Sequence, residues 1–271
     1  MGTIRNPVVA GQFYPGTKEP LLKMITSMVE KSSVKIEAIG VISPHAGYPY
    51  SGPVAGAVLS AIKPKSKYII LGPNHTGLGP AFSLSKAASW KTPLGEVAID
   101  EDLRNKLLSC SGFIEADDVA HMGEHSIEVQ LPILQAIQKE FTFVPIVVAS
   151  DNLDSYKAVG RDIANAIKEL GMEKEVSIIA SSDMTHYESD ESVRTKDKAA
   201  IEAILELDSD ELFKRIRRMG ISMCGYGPTA VMISAAKILG AKKAKLIKYQ
   251  TSGDTSGDYS SVVGYAGITV Y

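Results

Sequence analysis

The 271-residue chain predicts an α/β fold: a mainly parallel central sheet flanked by helices. Three features carry this. Apolar β-branched runs alternate with amphipathic stretches, Gly, Pro and polar clusters separate them, and the runs are almost continuous in apolar character. A strand covered by helices on both faces loses the in-out alternation of a half-exposed sheet. Strand and helix alternating along the chain is the pattern of parallel crossovers.

Taken in order, an amphipathic helix is expected over 20–31 and a strand over 38–42. The small apolar stretch 54–62 reads as helix and 68–71, Tyr-Ile-Ile-Leu, as strand. Residues 82–100, around Trp90-Lys91-Thr92-Pro93-Leu94-Gly95, suit a hairpin at a sheet edge. Helix 126–139, strand 141–148, helix 155–170 and strand 176–180 follow. Helices over 195–205, 209–218 and 229–239 come next, the last with Pro228 at its first turn and Gly240 just past its end. Strands over 244–249 and 262–270 enclose a polar turn at 251–258. No repeat or long linker interrupts the chain, so one domain over 1–271 is the simplest reading.

Bulk properties narrow the function classes. The chain is 45% hydrophobic and 22% charged, with a net charge of −2 and a pI near 6.2. A nucleic-acid binder ordinarily carries a basic excess. The basic runs 214–218 and 242–245 read as solvated faces. The two cysteines, Cys110 and Cys224, do not make a disulfide framework. No apolar stretch approaches the roughly 20 residues of a membrane span, and the first residues lack the apolar core of a signal peptide. A cytoplasmic protein with neither nucleic-acid nor membrane partners is expected.

In open α/β sheets ligands sit beyond the carboxyl ends of the strands. There the chain places Pro44-His45-Ala46-Gly47-Tyr48, Gly72-Pro73-Asn74-His75 and Asp183-Met184-Thr185-His186. A single loop histidine is usually a surface or hydrogen-bonded core residue. Three of the five histidines at one predicted rim favour an acid/base or metal site, since imidazole serves both. Asp183 has the spacing to orient His186. Cys224 lies just before the 229–239 helix, where the dipole favours a thiolate; Cys110 reads as a small packing residue. The stretch His121-Met122-Gly123-Glu124-His125-Ser126-Ile127-Glu128 reads in two ways. It matches the H-x-x-E-H pattern of zinc hydrolases, but Gly123 weakens a helix through the pair. The alternative starts a helix near Gly123, with His125 an acid/base or supporting group and Glu128 one turn on as its orienter. Glu124 and Glu128 fit ordinary first-turn polar positions equally well.

Together these motifs resemble the Memo protein family over nearly the whole chain, from Arg5-Asn6-Pro7-Val8-Val9 to Val262-Val263-Gly264-Tyr265. The most specific pieces are the His45 and His75 motifs, Glu124-His125-Ser126-Ile127-Glu128-Val129-Gln130, Asp183-Met184-Thr185-His186-Tyr187 and Met223-Cys224-Gly225. The resemblance implies a fold similar to class III extradiol ring-cleaving dioxygenases, whose iron is held by two histidines and a carboxylate. It places His45 and His75 at the histidine positions and Cys224 at the carboxylate position. A thiolate there is softer and shifts preference toward copper, zinc or a differently tuned iron. His125, His186 and Asp183 become the candidate catalytic groups. Iron or copper is the expected cofactor, ahead of zinc.

Three functions compete. The first is a metal-dependent oxidoreductase acting on a small oxygenated or phenolic substrate. The second is a non-enzymatic module that holds a small-molecule or peptide ligand against Tyr48, Tyr50, Trp90 and the 251–258 loop. The third is zinc hydrolysis through His121, Glu124 and His125.

Overall fold

The structure, a computed structural model, describes residues 2–30 and 34–271. Four parallel strands form its centre: β2 (Gly40–Ser43), β3 (Lys67–Pro73), β8 (Thr142–Val148) and β9 (Val176–Ser181). They lie in the spatial order β2-β9-β3-β8. The edges are antiparallel. On one side β12 (Val262–Val270) pairs with β2, and with β10 (His186–Glu188) and β11 (Ala244–Thr251); on the other, β4 (Phe82–Leu84) pairs with β8 and then in parallel with β7 (Glu115–Ala116). The sheet is therefore mixed, with the predicted parallel arrangement confined to its centre.

The order of the strands decides where the helices go. From β2 through β3 to β8 the chain steps in one direction across the sheet, and from β8 to β9 it steps back. Because β-helix-β crossovers are right-handed, the return helix must cover the opposite face. So α2 (Tyr48–Ala61) and α4 (Gln130–Ile137) pack on one face with α1 (Lys18–Met28), while α5 (Leu153–Glu169) lies on the other with α6 (Asp190–Leu205), α7 (Ser209–Met219) and α8 (Tyr226–Ile238). Alternate strand residues feed the two cores. Ile69, Leu71, Val144, Ile146, Ile178 and Ala180 serve the α5–α8 side. Tyr68, Ile70, Phe143, Val147 and Ile179 serve the α1–α2 side.

Several predicted boundaries move for local reasons. Helix α6 begins five residues before the predicted 195, because Ser189 caps the amide of Ser192. Helix α4 begins only at Gln130, after a turn over the predicted start. Helix α1 ends at Met28, and Lys31 of the predicted span lies outside the described residues. The hairpin predicted over 82–100 forms as β5 (Ser89–Thr92) and β6 (Gly95–Ala98), but it joins β1 (Ile4–Arg5) in a separate three-stranded sheet. Helix α3 (Glu101–Cys110), unforeseen, is capped by Asp100 and buries Leu103 and Leu107. It leaves Cys110 exposed, contrary to its reading as a packing residue. The 251–258 turn contains one helical turn, α9 (Gly253–Ser256), held by Asp254, which accepts the Thr251 amide and pairs with Arg194.

A candidate metal centre at the strand ends

Strands β2, β3 and β9 end at Ser43, Pro73 and Ser181, and two residues beyond each stands a candidate side chain: His45, His75 and Asp183. Because the strands are parallel and adjacent in the order β2-β9-β3, the three loops open on one rim. His125 joins them from the turn ahead of α4. One ring nitrogen from each of His45, His75 and His125 lies within 4.8 Å of the others, an arrangement that could hold a metal ion. The His75 and His125 rings stack at 4.8 Å, and His45 meets both edge-on at 5.2 and 5.6 Å.

Hydrogen-bond accounting fixes two of the rings. The Ser181 hydroxyl donates its one proton to the Ser126 carbonyl (2.6 Å) and accepts from Gln130 Nε2 (2.9 Å). Its contact with His45 Nδ1 (2.9 Å) must then be donation from the ring. That tautomer leaves His45 Nε2 as a lone pair facing the site. Glu124, fully buried, does the same for His75: Oε1 accepts from Nδ1 (2.9 Å) and from the Ser126 amide (2.8 Å), and Oε2 accepts the His75 amide (2.7 Å). A carboxylate behind an imidazole raises its basicity and fixes its orientation.

The charge states follow from burial and neighbours. Burial, with the like charges of His75 and His125, lowers the pKa of His45 well below that of free imidazole. Burial also pulls on His75, but the Glu124 hydrogen bond and charge outweigh it and the net shift is upward. His125 is lowered by burial, against the opposing pull of Glu124. Glu124 itself, although burial opposes ionisation, is held down to about 2 by the His75 ring and by the amides of His75 and Ser126.

Cys224 stands beside the triad. Its Sγ is 3.2 Å from His45 Nε2 and accepts the Asp183 amide at 3.3 Å. Burial, then the Asp183 charge, pushes the thiol pKa up, so the thiolate expected from the helix dipole is overridden by desolvation. Asp183 and His186 also lie at the site, in a different relation from the one their spacing suggested. Asp183 Oδ1 accepts the His45 amide (2.7 Å), whereas His186 Nδ1 donates to the Ser222 carbonyl (2.9 Å). Burial raises Asp183 to about 6, against the pull of the His45 amide and His186.

The structure parts the H-x-x-E-H residues. His121 packs its ring edge-on against Trp90 at 5.5 Å and donates Nε2–H to the Ser83 carbonyl (3.0 Å), so it is a core histidine. Glu128 does not orient His125. It is buried and takes Arg5 (2.7 Å), the amides of Val8 and Val9, and the Tyr14 hydroxyl (2.7 Å), which ties down the N-terminal segment. That segment sets Phe13 edge-on to His125 at 4.8 Å. Of the aromatic residues expected to line a ligand pocket, Tyr48 and Trp90 are buried in the core. Tyr50 remains open on the surface.

Sequence reasoning missed Ser181 and Gln130, and left Glu124 undecided. The available signal was a polar side chain at the end of an otherwise apolar strand, and an acid next to a histidine in a turn rather than on a helix.

Fold and site together define an α/β protein with a three-imidazole cluster at its strand ends. The Memo-like protein family model matches residues 5–269, and the chain belongs to that family. A MEMO1 family protein of Methanopyrus kandleri is 44% identical over 278 residues, covering 97% of this chain and 98% of the relative. Others from Nitrosopumilus maritimus (43% over 275 residues; 98% of each chain) and Methanosarcina acetivorans (44% over 269 residues; 98% and 99%) are similarly close. Among solved structures, an uncharacterized protein from Escherichia coli K12 shares the fold. Its TM-score is 0.59 at 11% identity, over 85% of this chain and 98% of that one. No helix among the described residues is long and apolar enough to cross a membrane.

Proposed function

We propose that the protein is a metal-dependent oxidoreductase of the non-haem type, acting on a small oxygenated or phenolic substrate. The observation that supports it most is the convergence of three imidazole nitrogens within 4.8 Å, two of them presented by rings whose other nitrogen is locked. Neutral imidazoles with fixed tautomers are what a transition metal binds. His45, His75 and His125 would hold the ion, which supplies Lewis acidity and one-electron chemistry when bound. Nitrogen donors beside a thiol suit iron or copper.

The chain's own residues do the rest. Ser181 and Glu124 keep His45 and His75 in the binding tautomer. Asp183 fixes the β2 loop through the His45 amide. His186, its Nδ1–H committed to Ser222, keeps Nε2 for moving a proton.

A second reading, with His45, His75 and Cys224 as the ligands, is favoured by the 3.2 Å approach of Sγ to His45 Nε2. Anaerobic loading with iron, copper or zinc separates the two. Near-stoichiometric metal in the wild type, lost in His45→Ala and His125→Ala but kept in Cys224→Ser, supports the first. A sulfur-to-copper charge-transfer band that vanishes in Cys224→Ser supports the second. Oxygen consumption with catechol, absent in His45→Ala, is the expected activity. No metal retained from any of the three loadings would sink both readings.

A further inference from the structure

Among the described residues, two that are not glycine hold the left-handed backbone conformation: Leu207 at φ +54° and Tyr187 at φ +58°. Their circumstances differ. Leu207 lies two residues past the end of α6, where the amides of Leu207 and Asp208 close on the carbonyls of Ile204 and Ala203, and its side chain is buried. Packing compensates the backbone there. Tyr187 is 77% exposed.

The backbone explains the conformation of Tyr187 but not its side chain. His186 faces Val263 and Glu188 faces Val262, so Tyr187 is the extra residue of a β-bulge on β10. A left-handed bulge position is ordinarily glycine, because any Cβ is disfavoured there. Bulges near sites re-aim side chains, and this one sets the Tyr187 ring 5.7 Å from His186, at 60° to it. The segment is fixed from behind: the His186 amide donates to Ser222 Oγ, Met184 to the Gly264 carbonyl, and Gly264 to the Thr185 carbonyl. Tyr187 is four residues past Asp183, whose carboxylate accepts the His45 amide, so one short segment carries both to the edge of the strand-end site.

A ring that covers no core, in a conformation that glycine or asparagine would hold more easily, has its use outside the fold. Next to an imidazole, an exposed π-face stacks on flat rings. We propose that Tyr187 is a specificity-determining residue of this site, its ring stacking on the planar aromatic ring of the ligand. The proposal rests on the reading of the strand ends as a ligand site and does not require the metal.

Phenol and cyclohexanol, alike in size and hydroxyl but not in π-face, are titrated into the full chain by ligand-observed NMR, with chelator and again after zinc loading. The wild type is expected to prefer phenol about fivefold, or about 1 kcal/mol. Tyr187→Phe keeps the preference. Tyr187→Asn loses it while its Tm stays at or above the wild-type value, since asparagine tolerates the left-handed region. A preference unchanged in Tyr187→Asn, none in the wild type, or a lowered Tm in Tyr187→Asn overturns the proposal. Zinc uptake measured on the same samples reports on the metal reading separately. If the wild type takes up neither zinc nor, in parallel anaerobic loadings, iron or copper, yet shows the ring preference, the metal reading alone fails.

Discussion

A serine hydroxyl has one proton, and Ser181 gives it to the Ser126 carbonyl, which leaves its lone pairs for Gln130 and the His45 ring. Ser181→Ala removes the acceptor that fixes His45 while leaving the strand intact. Metal affinity is expected to fall about 10- to 100-fold, read by competition with a chromophoric chelator; an unchanged affinity would mean that His45 is not a ligand. Buried His121 makes a second prediction. Its pKa is lowered to about 4, first by burial and then by Arg5. The unfolded chain, with histidine near 6.5, therefore binds the proton more readily. Stability tied to neutral His121 is fully present above about pH 6.5 and is lost as the pH falls toward 4, to a limit of about 3 kcal/mol. His45 titrates in the same direction, so the test is a difference. Urea unfolding of His121→Gln should show a shallower pH dependence than the wild type between those limits. His45, His75, His125, Cys224, Asp183 and His186 were legible as strand-end or loop candidates, and of these His45, His75 and His125 form the cluster. The roles of Ser181 and Glu124 were not legible, because a hydrogen-bond donor's direction depends on partners 49 to 136 residues away.

Elements meet the site through two buried carboxylates. Glu128, at the turn before α4, receives four groups from the first fourteen residues. Removing one side of a buried ion pair strands the other charge, at about 3–5 kcal/mol. Glu128→Ala is expected to destabilise by that order and to release the Val8 and Val9 amides to fast hydrogen exchange; protection equal to wild type would argue against the anchor. Asp197 on α6 supports the other side. It accepts the Thr185 amide (2.9 Å) and the Tyr249 hydroxyl (2.8 Å), bracing the loop that carries Asp183 and His186. Gly264 on β12 faces it so closely that a Cβ would sit 1.8 Å from Asp197 Oδ2. Gly264→Ala should therefore lower stability by about 1–3 kcal/mol through overpacking and disturb the His186 ring resonances in NMR spectra.

Across the whole molecule, metal binding and folding are linked. An ion that binds only the folded chain stabilises it by about 2.7 kcal/mol at a hundredfold excess over Kd. Thermal unfolding should shift upward with added zinc in the wild type and stay put in the His45→Ala, His75→Ala double variant; an equal shift in both would place the binding elsewhere.

The sequence by itself determined the fold class and the rim. Strand-helix alternation dictates parallel crossovers, and apolar runs of strand length can be satisfied only under two helical layers. His45, His75 and Asp183 each stand three or four residues past a predicted strand, so their convergence follows once the strands are adjacent. Only the tertiary structure decided which polar residues share that rim. His121 and His125 are four residues apart, yet one lies against Trp90 in the core and the other against His75. Local period could not separate them, because the turn between β7 and α4 is shaped by Arg5, which donates to the carbonyls of both His121 and Glu124 from the far end of the chain. Cys224 is the same case: the helix start next to it favours a thiolate, and burial reverses that preference.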